Sequence, residues 1–265
     1  VSIRVALCQI TSTAEPAANL ALVRDGVARA ASEGARVVVF PEATMCRFGV
    51  PLGPVAEPLD GPWATAVGEI AQEHGVLVVA GMFTPAEDGR VRNTLLVTGD
   101  GRHLGYDKIH LFDAFGFAES RTVAPGDKPV TIELDGVTFG VATCYDVRFP
   151  ELFRALADLG ATAILLPASW GAGEGKREQW ELLVRARALD STCWVLACGQ
   201  ADPAASGERP QGTAPTGIGH STVADPFGRV VAQLAAAPEM LLVDVSGDVV
   251  EQARQAIPVL ANRRL

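Results

Sequence analysis

Short runs rich in Val, Ile and Leu alternate along the chain with longer amphipathic stretches. That alternation predicts an α/β protein whose strands are shielded by helices on at least one face. Strands are expected over residues 3–9, 36–40, 76–82, 93–98, 103–106, 138–143, 161–166, 192–199, 219–224, 229–234 and 240–245. Helices are expected over 16–32, 62–74, 150–159 and 176–190. The first places Leu20, Val23 and Val27 on one face and stops at Gly34; the next two open on a proline and stop at Gly75 and Gly160. The fourth carries Trp180, Leu183 and Leu189 along one side, the pattern of core or subunit contact.

Two segments resemble each other. Gly34-Ala35-Arg36-Val37-Val38-Val39-Phe40-Pro41 and Gly160-Ala161-Thr162-Ala163-Ile164-Leu165-Leu166-Pro167 each follow a predicted helix and each release a polar segment after the proline. Such self-similarity points to two related halves. If each half makes one sheet with helices outside, the sheets must pack face to face to bury their remaining apolar sides. A four-layer αββα sandwich follows, with residues 1–265 expected to form a single domain, since no Pro/Ser-rich linker divides them.

Composition narrows the choice of function. Hydrophobic residues make up 48% of the chain, enough for a sizeable core, and a formal charge of −9 offers no basic face for nucleic acid or an anionic leaflet. No apolar run approaches the ~20 residues of a membrane span, and the chain opens on the strand-like residues 2–9, so the cytoplasm is the expected address. The cysteines Cys8, Cys46, Cys144, Cys193 and Cys198 contain no C-x-x-C pair, and the four histidines contain no H-x-x-x-H pair. Chemistry without metal or cofactor is therefore expected.

Three strand ends carry residues with chemical potential. The predicted strand 138–143 runs straight into Cys144-Tyr145-Asp146-Val147-Arg148-Phe149-Pro150-Glu151, where a helix begins. A thiol at such a turn is expected to be exposed, beside backbone N–H groups that favour a thiolate or an oxyanion. Cys8, Cys193 and Cys198 lie inside predicted strands, where a small buried thiol needs no further reason. Phe40-Pro41-Glu42 places an acid at another buried strand's end, and Lys108 follows Gly105-Tyr106-Asp107. Singly, either charge is the ordinary furniture of a loop. Together with Cys144 they supply a base, an electrophile and a nucleophile, the three things that amide hydrolysis by a thiol needs.

At this point F-P-E, Y-x-K-I-H-L-F-D and C-Y-D-x-R-F-P-E resemble the three signature segments of the nitrilase (carbon-nitrogen hydrolase) superfamily. Ala118-Glu119-Ser120 before Pro125-Gly126 resembles its E-S…P-G segment, and Trp180-Glu181 through Ala188 and Gly219-His220-Ser221 through Gly228 resemble two more, with Phe227 in place of the usual Trp. The resemblance implies the αββα fold, a triad of Glu42 as base, Lys108 as electrostatic partner and Cys144 as nucleophile, Glu119 as a second carboxylate, and a homodimer or larger homo-oligomer. An oxyanion would meet Lys108 and the Tyr145 backbone N–H. C-Y-D-x-R-F-P-E is similar to the omega-amidase and deaminated glutathione amidase branch, which implies a small carboxylate-bearing primary amide as substrate. A deaminated glutathione amide, an N-carbamoyl compound or a neutral aliphatic amide is the alternative. The loops 43–49 and 171–177 depart from omega-amidase segments. They hold the cations Arg47, Lys176 and Arg177, which a substrate carboxylate would require, and Trp170 stands just before the second.

Two rivals stand beside this reading. Pro167-Ala168-Ser169-Trp170-Gly171 follows a buried strand, and His220 is a possible base for a serine hydrolase, although the first glycine of G-x-S-x-G is missing. The same fold is also compatible with a non-catalytic binding protein, because fold alone never guarantees chemistry.

Overall fold

The computed structural model describes residues 2–208 and 212–264. Its first half runs β1 (Ser2–Gln9), α1 (Pro16–Ser32), β2 (Val37–Val39), α2 (Pro62–His74) and β3 (Leu77–Pro85), with the three strands parallel. β4 (Val91–Gly99) and β5 (Arg102–Asp107) then add antiparallel strands. A small hairpin, β6 (Asp113–Ala114) with β7 (Phe117–Ala118), and β8 (Val123–Ala124) alongside β4 lead into the second half.

That half repeats the plan. β9 (Val130–Leu134) precedes β10 (Val137–Val141), α3 (Pro150–Asp158), β11 (Ala163–Ala168), α4 (Lys176–Ser191) and β12 (Trp194–Gly199), again with parallel β10, β11 and β12, and β13 (Thr222–Ala224) and β14 (Val230–Gln233) are antiparallel. β15 (Glu239–Ser246) returns along β1, and α5 (Gly247–Ala256) follows it. The sheet orders β15-β1-β2-β3-β4-β5 and β9-β10-β11-β12-β13-β14 therefore match strand for strand in direction. The repeated octapeptides fall at matching places, entering β2 and β11.

Alternation along each strand builds the layers. Val5, Leu7, Val37 and Val39 of one sheet meet Phe139, Val141, Leu165 and Leu196 of the other in a shared core. Their neighbours Ala6, Cys8 and Val38 face α1 and α2, whereas Ile164, Leu166 and Val195 face α3 and α4. The αββα sandwich expected from the repeat is the architecture observed. Both faces of each sheet are apolar, and full burial of each Val or Leu contributes roughly 1.5–3 kcal/mol.

Some boundaries differ from the pattern. The strand expected over 219–224 shortens to Thr222–Ala224 because Gly219 (φ 72°) and His220 (φ 56°) leave extended conformation. β9 and α5 were not expected; α5 buries only Val250 and Ala253, too little apolar surface to mark a periodic face. Among the described residues no helix is long and apolar enough to cross a membrane.

Candidate active site

The matching strand ends of the two sheets open on one another. Glu42 leaves β2, Lys108 leaves β5, Glu119 leaves β7 and Cys144 leaves β10, and all four line one pocket. Two of these turns are held in the left-handed region by non-glycine residues: Cys144 itself (φ 47°) and Ala43, next to Glu42 (φ 59°). Such backbone costs about 1–3 kcal/mol per residue and survives only where its surroundings fix it. For Ala43 the surroundings include Gly81 of β3, whose missing side chain is essential. A Cβ there would stand 2.4 Å from the Ala43 nitrogen and 2.8 Å from the Glu42 carbonyl carbon. The Gly81 carbonyl accepts from Met45 N–H and its N–H donates to Pro41 O, so the Glu42 turn lies directly on β3.

Lys108 is the hub. Its Nζ donates to Glu42 Oε1 at 2.9 Å and to Glu119 Oε2 at 3.0 Å, with all three side chains buried. Asn93 of β4 uses its Nδ2 in the same way, donating to Glu42 Oε1 at 2.8 Å and Glu119 Oε1 at 3.1 Å. Glu42 Oε2 accepts from Ser169 N–H at 2.8 Å, and Glu119 Oε2 from Phe112 N–H at 2.6 Å. Gln200, buried after β12, donates to the Glu42 carbonyl at 3.0 Å and ties it to the second sheet. An ammonium has three donors; the two short contacts take two of them, and the third makes only the longer 3.3 Å contact to Glu119 Oε1, the one an arriving oxygen can most readily replace.

The thiol departs from the sequence expectation in two respects. Cys144 is buried at 8% exposure rather than exposed at its turn, and its Sγ lies 3.7 Å from the Ser169 carbonyl. Its pKa is pushed well above the ordinary thiol value, first by burial and then by the Glu42 charge, with Lys108 opposing only in part. The resting group is a thiol, not the thiolate that a turn beside backbone N–H groups suggested, so its proton needs an acceptor during attack. Burial lowers the Lys108 pKa, but Glu119 and Glu42 together overcome it and raise the pKa well above the ordinary lysine value. Lys108 stays a cation.

Aromatic rings wall the pocket: Phe48, Phe112, Phe117, Tyr145 and Trp170. Of the three cations read from sequence, Lys176 reaches it, with Nζ 3.5 Å from the Phe115 ring centroid and its backbone carbonyl held by Trp170 Nε1–H at 2.8 Å. Arg47 is half-buried outside the lining and donates to Phe48 O at 3.1 Å. Arg177 is exposed and pairs with Glu181 at 2.8 Å. Arg148 sits behind the wall, 5.2 Å from the Trp170 centroid, and donates to Gln179 at 2.7 Å. Among the described residues the serine rival is not paired with its base: Ser169 Oγ donates to Pro215 O at 2.6 Å, and His220 Nδ1 faces Leu234 O at 3.3 Å.

Sequence reasoning missed Asn93, Gln200, Phe48, Phe112 and Pro215. Asn93 had one signal, a polar amide opening an otherwise apolar predicted strand, but amides at strand starts are common and no spacing singles it out. The others come from loops that only the tertiary fold brings together.

The fold is that of the nitrilase superfamily of hydrolases. The carbon-nitrogen hydrolase profile matches residues 4–255, and the chain belongs to that family. It is a hydrolase acting on C–N bonds. A protein of Mycobacterium tuberculosis called only a hydrolase is 56% identical over 98% of this chain and 95% of its own length. The deaminated glutathione amidase of Escherichia coli O157:H7 is 34% identical over 90% of this chain and 88% of its own length. A human omega-amidase is 31% identical over 99% of this chain and 95% of its own length. Among solved structures, Saccharomyces cerevisiae Nit3, a member of branch 10 of the nitrilase superfamily, superposes with a TM-score of 0.85 at 30% identity over 100% of this chain and 97% of that one.

Proposed function

We propose that this hydrolase is an amidase that cleaves a small primary amide carrying a carboxylate, through a thioester on Cys144. The observation that carries the reading is the convergence of Cys144, Glu42 and Lys108 in one aromatic-walled pocket, where burial and the Glu42 charge raise the pKa of the thiol. Glu42 accepts the Cys144 proton as Sγ attacks the amide carbon. The oxygen becomes an oxyanion facing the remaining Lys108 N–H and the Tyr145 backbone N–H at the start of the turn. Collapse expels ammonia, with the proton returned by Glu42, and leaves the thioester. A water that gives its proton to Glu42 then attacks the same carbon, the C–S bond breaks to release the acid, and Glu42 returns the proton to the Cys144 sulfur, which restores thiol and carboxylate. Glu119 keeps Lys108 charged and aimed.

The carboxylate preference is supported by two observations. The 34% and 31% identical relatives are named for amidases of this branch, and Lys176 puts a cation at the pocket wall of an acidic protein. A dicarboxylate monoamide, cleaved to the diacid and ammonia, fits both. The experiment is ammonia release from a panel of ω-amides, N-carbamoyl compounds, nitriles and neutral aliphatic amides, paired with intact mass. Wild type is expected to favour the carboxylated amides and to show an acyl adduct with a slow substrate, whereas folded Cys144→Ala shows neither product nor adduct. Preference for neutral amides would move the assignment to an aliphatic amidase. An adduct that persists in Cys144→Ala would overturn the thioester, and a folded wild type inert to the whole panel would favour a binding protein.

A further inference from the structure

The mechanism above needs Lys108, from the edge of one sheet, to stand at a fixed place beside Cys144, from the other. No strand pairing joins them, since β5 and β10 belong to different sheets. On its own side Lys108 is fixed along the backbone, its N–H donating to Asn93 O and its carbonyl accepting from Gly126 N–H. Among the described residues, the hydrogen bonds that tie this segment to the nucleophile turn all run to a single carboxylate.

Asp146 is fully buried two residues beyond Cys144. Its Oδ2 accepts from Thr143 N–H at 2.8 Å, capping the turn that carries the thiol. The same oxygen accepts the Tyr106 hydroxyl at 2.6 Å, and Oδ1 accepts both His110 N–H at 3.0 Å and His110 Nδ1 at 2.7 Å. Tyr106 and His110 are the residues two before and two after Lys108. One carboxylate therefore grips the lysine segment on both flanks and the cysteine turn at its first residue. The grip is stiffened on each side: Tyr106 is fully buried in the core between the sheets, and the His110 ring stacks on Phe149 at 3.7 Å between centroids. Burying a carboxylate is costly unless hydrogen bonds satisfy it, and here every one of its bonds runs to the two segments that must stay in register.

We propose that Asp146 is a positioning residue, which sets the distance between the Lys108 ammonium and the Cys144 sulfur at which the oxyanion forms. The proposal rests on the role given to Lys108 above. It makes Asp146 act through Lys108, and that is open to a double-mutant cycle. Asp146→Asn keeps the shape but turns an NH₂ towards two existing donors, so one flank must let go. A misplacement of about 1 Å costs on the order of 10²-fold. In folded Asp146→Asn, kcat is expected to fall by that order while KM moves less than about threefold, because the pocket wall that meets the acyl tail is untouched. Tyr106→Phe, which deletes one hydroxyl from the same grip and spares the turn cap, is expected to lower kcat in the same direction by a smaller factor.

The decisive readout is the rate of acyl-adduct formation, followed by intact mass, in the Lys108→Met background. There Asp146→Asn and Tyr106→Phe should each cost less than about threefold, since the group they position is gone. Equal losses in both backgrounds would overturn the proposal and make Asp146 a general support of the fold, as would an unchanged kcat in folded Asp146→Asn and Tyr106→Phe. If Asp146→Asn fails to fold, the Tyr106→Phe arm decides alone. If Lys108→Met itself keeps full turnover, the Lys108 role fails, and positioning through it fails with it; a panel on which wild type cleaves no amide fails the amidase reading instead.

Discussion

The two halves share a strand order yet bring different chemistry to the pocket. From the first come Glu42, Asn93, Lys108 and Glu119, two carboxylates bridged by an ammonium and an amide that each donate to both. From the second come Cys144, the nucleophile of the proposed mechanism, and Tyr145, Ser169, Trp170 and Lys176, which line the same pocket. The matched octapeptides show how the split is made. After Pro41 stands Glu42; after Pro167 stands Ala168, followed by Ser169, whose backbone N–H holds Glu42 Oε2 at 2.8 Å. Where one half offers a carboxylate, the other offers only backbone to orient it. A repeated scaffold thus places two strand ends face to face, one carrying the carboxylate and the other the backbone N–H that orients it.

The strongest way to break this division is Glu42→Gln. The amide keeps an acceptor for Ser169 N–H but cannot take the Cys144 proton, and loss of a general base costs about 10²–10⁴-fold. Ammonia release should fall by that range, with the fold unchanged by circular dichroism. A Glu42→Gln enzyme with wild-type turnover would show that the second half carries its own base. Next in size is Lys108→Met, expected to lower kcat by about 10²–10³-fold with a much smaller change in KM, as for loss of one oxyanion donor. The split between kcat and KM is the check, because a purely structural lysine would lower stability and both constants together.

How much of this could be read in the sequence depends on whether a residue's role is local. Glu42, Lys108 and Cys144 each end a strand that the hydrophobic pattern predicts, so their places followed from the alternation and their company from three motifs. The layers followed from the repeated octapeptide for the same reason. Asn93 and Asp146 act through partners 51 and 40 positions away along the chain, and no periodicity encodes such a distance. Burial of the thiol was also illegible, since the Ser169 turn and the Glu42 turn that enclose it come from different sheets. Gly81 belongs to the same class. In sequence it is one glycine in an apolar strand, yet a methyl there meets the backbone of the Glu42 turn. Gly81→Ala is expected to destabilise by roughly 1–3 kcal/mol, as overpacking does, and to lower kcat by pushing the base off its site. Thermal unfolding and turnover should both report it; unchanged turnover would mean that the turn can yield without moving Glu42.

The smallest effect tests the far end of the second half. Lys176 stands at the first turn of α4, its charge resting on the Phe115 ring and facing the pocket. It is partly solvated, so a substrate carboxylate gains only a modest interaction there, and about 1.4 kcal/mol corresponds to tenfold in affinity. Lys176→Met keeps the length and apolar stem while removing the charge. KM for a carboxylated amide should rise about tenfold with kcat nearly unchanged, whereas KM for the same amide with its carboxylate methylated should stay put. Equal changes for both would assign Lys176 to packing of the wall and leave the tail's partner elsewhere. The pH dependence gives an independent check. Burial, and then the neighbouring Arg148 charge, lower the Lys176 pKa below the ordinary lysine value. Its charge is therefore present at neutral pH and lost earlier than usual as pH rises. The preference for the carboxylated amide over its methyl ester should fade on the alkaline side in wild type and be flat with pH in Lys176→Met. A preference that holds through the ordinary lysine range would place the recognising cation at an arginine, and Arg148, behind the same Trp170 wall, is the one to replace next.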